Sequence, residues 1–436
     1  MHQKRQIWQE IEMAVQEACS GQPDMQEVEI REIIDQVILE YSQQEYIPLK
    51  KKLQISEQVY DAIRGYDCLE ELLRQKDITE IMLNGYDSIF IERQGVLESW
   101  EGGFSSKERY MDVIQQIVAS CNRIVNESTP IVDARLEDGS RVNVVLPPVA
   151  LDGAVMTIRR FPDVTYTMKD LVRKEMLSDE VADILKVLVK SKYNILISGG
   201  TGSGKTTFLN ALTNFIPVTE RLITIEDSAE LQIQQIPNLV RMEVRNANIE
   251  GQNAIGMKDL IRSSLRMRPD RIIVGEVRGE EAVDMLQAMN TGHSGSLTTG
   301  HANSARDMLY RLETMVLMGM DIPLLAIRQQ IASAIEIIVH IGRVPGGKRR
   351  VLELAEITGM EQGEIKLHTL YRYQEGTKIQ ESDPEIPEQK LRQETVCWKR
   401  IEGIQHDEKM ETAGYMEAYR QIQETGIWDS TDRDGG

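Results

Sequence analysis

The chain has 436 residues, of which 41% are hydrophobic and 27% charged, values typical of a globular protein with two or three domains. Its 50 basic and 69 acidic residues give a net charge of −19, which disfavours a general nucleic-acid-binding role. The four cysteines are scattered without a C-x₂-C pair, which disfavours a disulfide framework and fits a reducing cytoplasm. No apolar run approaches the ~18 residues of a membrane span, so we expect membrane contact only through a surface or a partner.

The first 75 residues are polar, with apolar residues recurring at helical spacing, as in Ile33, Ile34, Val37 and Ile38. This pattern predicts several amphipathic helices that form a small lid or docking module.

Residues 76–163 predict an α+β domain. Two short strands flank the turn Asn84–Asp87, a helix covers Lys107–Ser120, and a further strand covers Met156–Phe161. Between the helix and that strand, a hairpin turns at residues 137–140. Arg135 and Arg141 flank this turn, with Arg159 and Arg160 on the next strand; they form either a solvated basic edge or a set of phosphate ligands.

A phosphate-binding loop follows a short apolar strand and opens a helix. Residues 199–206 read GGTGSGKT, which fits the spacing G-x-x-x-x-G-K-[ST] in the strand–loop–helix context that the motif requires. The predicted nucleotide-binding residues are Gly199, Gly200, Thr201, Gly202, Ser203, Gly204, Lys205, Thr206 and Thr207. Backbone amides and Lys205 would hold phosphate oxygens, and Thr206 would hold Mg²⁺.

Strands and helices alternate around and after this loop. Apolar runs at 222–225, 271–275, 297–299 and 337–341 predict strands, and 178–192, 257–265, 280–289 and 305–318 predict helices. Alternation of this kind predicts a mostly parallel sheet covered on both faces, over residues 164–375. Residues 376–436 predict a polar C-terminal extension, with a loop over 377–393 and a weak helix over 413–423.

Two acids come at the ends of predicted strands. Glu276 ends the run RIIVGE, and Glu226 ends RLITIE. Because the carboxyl ends of parallel strands meet at one edge of a sheet, both are expected beside the phosphate loop, where one could order Mg²⁺ and the other activate water. The alternative is that both are solvated loop acids.

Two of the six histidines, His293 and His301, lie eight residues apart around a short predicted strand. The pair could be zinc ligands, hydrogen-bonded core histidines or a sensor of the γ-phosphate. With neither a cysteine nor a third histidine nearby, a metal site is disfavoured.

Four blocks occur together and in order: ISGGTGSGKTT, TIEDSAEL, RMRPDRIIVGEVRG and NTGHSGSLTTGHANS. They resemble the Walker A, Asp box, Walker B and His box of the secretion ATPase superfamily, which serves type II and type IV secretion and type IV pili. The block VDARLEDGSRVNVVLPPVALDG is similar to the tight-adherence (Flp) pilus assembly ATPases of the CpaF/TadA type. The absence of a tetracysteine module separates the chain from many type II secretion ATPases.

This resemblance implies a RecA-like P-loop ATPase domain preceded by a PAS-like α+β domain, assembled as a hexameric ring. It implies ATP and Mg²⁺ as ligands and a membrane platform protein as partner, at the cytoplasmic face of the cell membrane. By the match, Glu226 and Glu276 are the water-activating and metal-ordering acids, and His301, with His293, links the γ-phosphate to subunit movement. Arginines such as Arg135 and Arg141 would reach the phosphates within the subunit or across to the next.

The expected function is therefore an ATP-driven motor for pilus assembly or secretion. A type IV secretion ATPase or a retraction motor would use the same residues. A nucleotide-gated scaffold with little turnover is the alternative from another class, and the intact set of acids and Lys205 weighs against it. The guanine-reading motif N-K-x-D is missing, which disfavours a GTPase switch.

Overall fold

The computed structural model describes residues 10–427, apart from residues 12, 16, 20–24, 45, 94, 137, 161–165, 246–252 and 380–391. Two compact units divide the chain, Met1–Asp163 and Val164–Gly436, and each is described by itself. None of the described helices combines the length and the apolar character needed to cross a membrane.

The described residues between 10 and 19 are helical, and the expected helices α1 (Glu27–Gln44), α2 (Leu49–Arg64) and α3 (Cys68–Arg74) follow. Ile30, Ile34 and Ile38 recur every fourth residue on α1, so they share one face of the helix. That face packs against Ile55 and Val59 of α2. The apolar spacing read from the sequence therefore defines the core of this helical segment.

An antiparallel sheet follows, in the order β3-β2-β1-β6-β5-β4. Its strands are β1 (Ile78–Asn84), β2 (Ile89–Arg93), β3 (Val96–Trp100), β4 (Ile131–Arg135), β5 (Arg141–Val145) and β6 (Val155–Arg159). Helix α4 (Lys107–Ser120) has the predicted bounds because the Ser106 hydroxyl accepts a hydrogen bond from the Arg109 amide and caps its first turn. The sequence did not predict β3, an exposed edge strand, and residue 137 of the predicted hairpin turn lies outside the described residues.

The second unit is built on one sheet, which within the described residues has nine strands in the order β15-β14-β13-β12-β7-β11-β10-β8-β9. Its strands are β7 (Ile195–Gly199), β8 (Leu222–Glu226), β9 (Leu239–Glu243), β10 (Arg271–Val277), β11 (Leu297–Gly300), β12 (Ile337–Arg343), β13 (Arg349–Glu361), β14 (Glu364–Ile379) and β15 (Arg392–Arg400). Its helices are α5 (Met168–Arg173), α6 (Asp179–Lys190), α7 (Lys205–Thr213), α8 (Met257–Ser264), α9 (Ala282–Asn290), α10 (Ala305–Gly319), α11 (Leu324–Ala334), α12 (Glu408–Ala413) and α13 (Met416–Thr425).

The strands from β12 to β9 in this order pair in parallel, as predicted. Along β7, Ile195 and Ile197 join the apolar cluster on one face, and Leu196 joins the cluster on the other. Both faces are therefore buried, which explains why these strands read as continuous apolar runs. The predicted α/β fold class is confirmed.

The C-terminal part of the second unit differs from the prediction. Residues 377–393 were expected to form a loop, but β14 continues to Ile379 and β15 begins at Arg392; residues 380–391 lie outside the described ones. Met410, Tyr419 and Ile422 of the last two helices belong to the same apolar cluster as α6. The described residues of the predicted polar extension thus complete the sheet and core, because strand pairing can order polar segments that lack an apolar period.

Candidate functional site

The phosphate loop connects β7 to α7 and depends on its glycines. Gly202 and Gly204 have φ values of 67° and 96°, in the left-handed region that a side chain disfavours. A Cβ atom on Gly199 would lie 2.3 Å from the carbonyl oxygen of Ile341 on β12. The loop therefore opens directly onto the N-terminus of α7, where backbone amides favour an anion.

Four parallel strands bring the predicted residues to the same edge of the sheet. The loop follows β7, Glu226 ends β8, Glu276 lies one residue before the end of β10, and His301 follows β11. Since these strands are parallel neighbours, their carboxyl ends lie together. This placement agrees with the reading of the sequence.

Lys205 is buried at this edge, with 7% of its surface exposed. Its ammonium donates hydrogen bonds to the carbonyl oxygens of Gly199, at 3.2 Å, and Gly200, at 3.0 Å. It also lies 3.2 Å from Nδ1 of His301, which can accept a hydrogen bond from the ammonium. Burial lowers the pKa of Lys205, and the nearby Glu276 opposes this shift. The negative charge of a bound phosphate would stabilise the charged form of this buried lysine.

Glu276 contacts His301 through one carboxylate oxygen and Arg278 through the other. Its Oε1 lies 2.7 Å from Nε2 of His301, and its Oε2 lies 2.6 Å from the Arg278 guanidinium. Arg278 is also 3.5 Å from Asp227, the residue after Glu226. Sequence analysis did not single out Arg278, although its position two residues after the strand-end acid was the available signal.

Glu226 is 3% exposed, so the alternative of a solvated loop acid is wrong for this residue. Its Oε2 accepts hydrogen bonds from the backbone amides of Glu230, at 2.7 Å, and Leu231, at 2.8 Å. Burial raises the pKa of Glu226 to about 7, and these two amides oppose the shift. Gly275 permits the close approach, because a Cβ atom there would lie 3.0 Å from Cγ of Glu226.

The two carboxylates suit a divalent cation. Oε1 of Glu226 is buried and has no hydrogen-bond partner among the described residues, whereas Oε1 of Glu276 lies 2.7 Å from Nε2 of His301. Mg²⁺ takes oxygen ligands and keeps several waters, so such oxygens fit the ion or its water shell. Thr206 lies half-buried in the first turn of α7, beside Lys205.

The structure separates the two histidines. His301 follows the carboxyl end of β11, whereas His293 precedes the amino end of this strand. Nδ1 of His293 lies 3.2 Å from the Ala288 carbonyl oxygen, in the last turn of α9. Burial lowers the pKa of His301, and Glu276 opposes this effect. The geometry thus places His301, and not His293, with the loop residues.

A cavity of about 280 Å³ adjoins the phosphate loop at Gly204 and Thr207. Tyr166, Leu171 and Met176 supply apolar surface to its lining. The other lining residues are Lys174, Gly347, Lys348, Arg349 and Arg350. Apolar walls with a few cations beside a phosphate loop suit a nucleoside, and the sequence offered no local pattern for this cavity.

Arg135 and Arg141 lie in the first unit, on β4 and β5. They are directly opposite each other, and Arg141 is in turn opposite Arg159 on β6. Nε of Arg135 donates to the Gly139 carbonyl oxygen at 3.1 Å. Their predicted contact with phosphates stays a prediction.

Comparison with known proteins adds a family match. The family described as "Type II/IV secretion system protein" matches residues 63–383. The conjugal transfer protein TrbB of Rhizobium radiobacter is 33% identical over 318 residues, covering 72% of this chain and 94% of TrbB. The type IV secretion system protein PtlH of Bordetella pertussis is 32% identical over 314 residues, covering 66% of this chain and 92% of PtlH. The crystal structure of the pilus retraction motor PilT with bound ADP is 20% identical, with a TM-score of 0.49, over 70% of this chain and 82% of PilT.

Proposed function

The chain belongs to the type II/IV secretion system protein family, and we propose that it hydrolyses ATP with Mg²⁺ to drive a secretion or pilus-assembly machine. The observation that carries the proposal is the continuous contact from Lys205 through His301 and Glu276 to Arg278 at the mouth of the phosphate loop. It joins the elements that phosphoryl transfer requires: a phosphate-binding lysine, acids and a further cation.

The loop amides and Lys205 bind the β- and γ-phosphates of ATP. Thr206 and Glu276 would hold Mg²⁺, directly or through water, and the bound ion would neutralise part of the phosphate charge. The apolar side of the cavity, formed by Tyr166, Leu171 and Met176, takes the base. Enclosure of the phosphates between buried groups strengthens each of these interactions.

Glu226 is the general base for the attacking water. Two backbone amides hold Oε2, so Oε1 remains to accept a proton. A pKa of about 7 suits this role, because a base is most effective when its pKa lies near the working pH. Glu276 is engaged by His301 and Arg278, so we assign it to ordering the metal and the histidine.

His301 transmits the presence or absence of the γ-phosphate from Lys205 to Glu276 and Arg278. Nδ1 faces the Lys205 ammonium, a donor, so the ring proton sits on Nε2 and faces Glu276. When Lys205 binds a phosphate, its contact with His301 changes, and Glu276 and Arg278 can follow. Release of the γ-phosphate would reverse this rearrangement and couple hydrolysis to domain motion.

The wider assembly follows the resemblance of the sequence to ring-forming ATPases. We propose a homohexamer in the cytoplasm, bound at the inner face of the membrane through a platform protein. Arg135 and Arg141 would stabilise the transferring phosphoryl group, within the subunit or from the next one. Among machines, tight-adherence pilus assembly is the first candidate, and the relatives named for conjugal transfer and type IV secretion favour type IV secretion as the second.

The test is nucleotide binding and phosphate release by the purified full chain, with and without Mg²⁺. We expect ATP turnover in the wild type and none in Lys205→Ala. Lys258→Ala is the matched control, since this lysine pairs with Glu280 on the surface. Binding without turnover, even with the membrane fraction added, would support the scaffold alternative, and absence of nucleotide binding would overturn the proposal.

A further inference from the structure

Arg343 and Arg349 converge on one atom of the phosphate loop. They end β12 and begin β13, and they are direct cross-strand partners in this hairpin. The carbonyl oxygen of Gly202 accepts from Nε of Arg349 at 3.0 Å and from two nitrogens of Arg343 at 3.2 and 3.3 Å. Two exposed guanidinium groups thus share one neutral acceptor.

This sharing is unusual for like charges. Equal charges directly opposite each other on paired strands destabilise the pairing. In the part of the chain that the structure describes, neither arginine has a carboxylate within 4.0 Å, whereas the adjacent Lys348 and Arg350 both pair with Glu175. In this hairpin, Lys348 and Arg350 therefore pair with a carboxylate. Arg343 and Arg349 contact the phosphate loop instead.

Two glycines of the phosphate loop leave room for the arginine side chains. Gly202 adopts a left-handed φ of 67°, and a Cβ atom on it would lie 2.6 Å from the Arg343 guanidinium. A Cβ atom on Gly204 would lie 3.4 Å from Cδ of Arg349. Strand β12 also pairs with β7 as far as Ile341 and Gly199, so the hairpin continues from the strand that borders the loop.

We propose that Arg343 and Arg349 are positioning residues that hold the phosphate loop in its nucleotide-binding conformation through the Gly202 carbonyl. The inference rests on the proposed ATP site. Because a loop with left-handed residues loses conformational entropy on binding, fixing it in advance improves affinity rather than the chemical step. Either arginine alone can occupy the shared oxygen, so the two are redundant.

The experiment measures the affinity of the full chain for a fluorescent ATP analogue and a fluorescent ADP analogue. The variants are Arg343→Gln, Arg349→Gln and the double variant, with Lys366→Gln as the control, because this lysine pairs with Glu361 at the other end of β13. We expect each single change to weaken binding by less than about twofold and the double change by about tenfold or more, whereas two independent effects would multiply to about fourfold at most. The kcat at saturating ATP should stay within about twofold of the wild type.

A second readout separates positioning from a general loss of stability. Amide hydrogen exchange without nucleotide should accelerate at residues 200–204 in the double variant and stay unchanged in the first unit. Wild-type affinity of the double variant, or uniform acceleration through the whole chain, would overturn the inference. If the wild type binds neither analogue, the proposed function fails instead; if the wild type binds and Lys205→Ala does not, the outcome for the double variant concerns the arginines alone.

Discussion

Nε2 of His301 lies 2.7 Å from Oε1 of Glu276, although 25 residues separate them in the chain. The contact exists because β10 and β11 are parallel neighbours whose carboxyl ends meet. On its other side, His301 faces Lys205, so one imidazole connects the phosphate loop to the acid of the next strand. Five predictions follow from the geometry of this site and of the first unit.

Glu226→Gln should bind ATP with unchanged affinity and hydrolyse it about 100-fold more slowly or worse, because only the chemical step needs the base. Phosphate release and nucleotide affinity, measured together, check this. Glu361→Gln is the control, since this glutamate pairs with Lys366 on the surface. Unchanged turnover in Glu226→Gln would remove this residue from the chemistry.

Glu276→Gln should raise the Mg²⁺ concentration needed for half-maximal turnover, because the variant loses a charged oxygen ligand for the ion. Its contacts with His301 and Arg278 also weaken. A Mg²⁺ titration of turnover checks this, with Glu280→Gln as a surface control. If this variant and Glu226→Gln show the same metal dependence, the division of labour between the two acids is wrong.

The histidines should differ in their effects. His301→Ala should lose most of its hydrolysis, since it breaks the link between Lys205 and Glu276. His293→Ala should keep hydrolysis and lose some stability, because its ring contacts the last turn of α9. Phosphate release and melting temperature distinguish the two, and a comparable loss of turnover in His293→Ala would contradict the assignment.

Turnover should rise with pH through about 7, as Glu226 loses its proton and becomes a base. The same shift affects stability with the opposite sign. In the folded chain Glu226 binds a proton more tightly than in the unfolded chain, so its contribution to the free energy of unfolding falls as pH rises from about 4.5 to about 7. Relative to the wild type, Glu226→Gln should therefore gain stability over this range, as denaturant melts at several pH values would measure. A pH-independent difference would mean that the Glu226 pKa is not raised.

Arg135→Ala and Arg141→Ala should lower turnover by about 10³-fold while the chain stays folded, if these arginines reach the transferring phosphoryl group. Arg93→Ala is the control, because that arginine pairs with Asp77 in the same sheet. Mixing either variant with Lys205→Ala should restore some activity if the arginine acts on a neighbouring subunit. Wild-type turnover in both variants would support the alternative that these arginines form a solvated basic edge.

Several elements of this protein could be predicted from patterns within a few consecutive residues. The phosphate loop and its flanking strand and helix were readable from a few consecutive residues. Parallel strands buried on both faces also appear as apolar runs, because burial on two faces leaves no polar period. From these elements alone, Glu226 and Glu276 could be assigned to one edge of a sheet.

Other features depended on contacts between distant segments. His293 and His301 looked equivalent along the chain, and only the direction of β11 separates them. The raised pKa of Glu226 comes from burial, and burial depends on how strands and helices pack. The polar residues at the end of β14 and the start of β15 are held by pairing between these two strands. Arg343 and Arg349 meet Gly202 only because β12 lies beside β7. Local sequence encodes turns, caps and periodicity, whereas charge environment and side-chain convergence arise only when the sheet assembles.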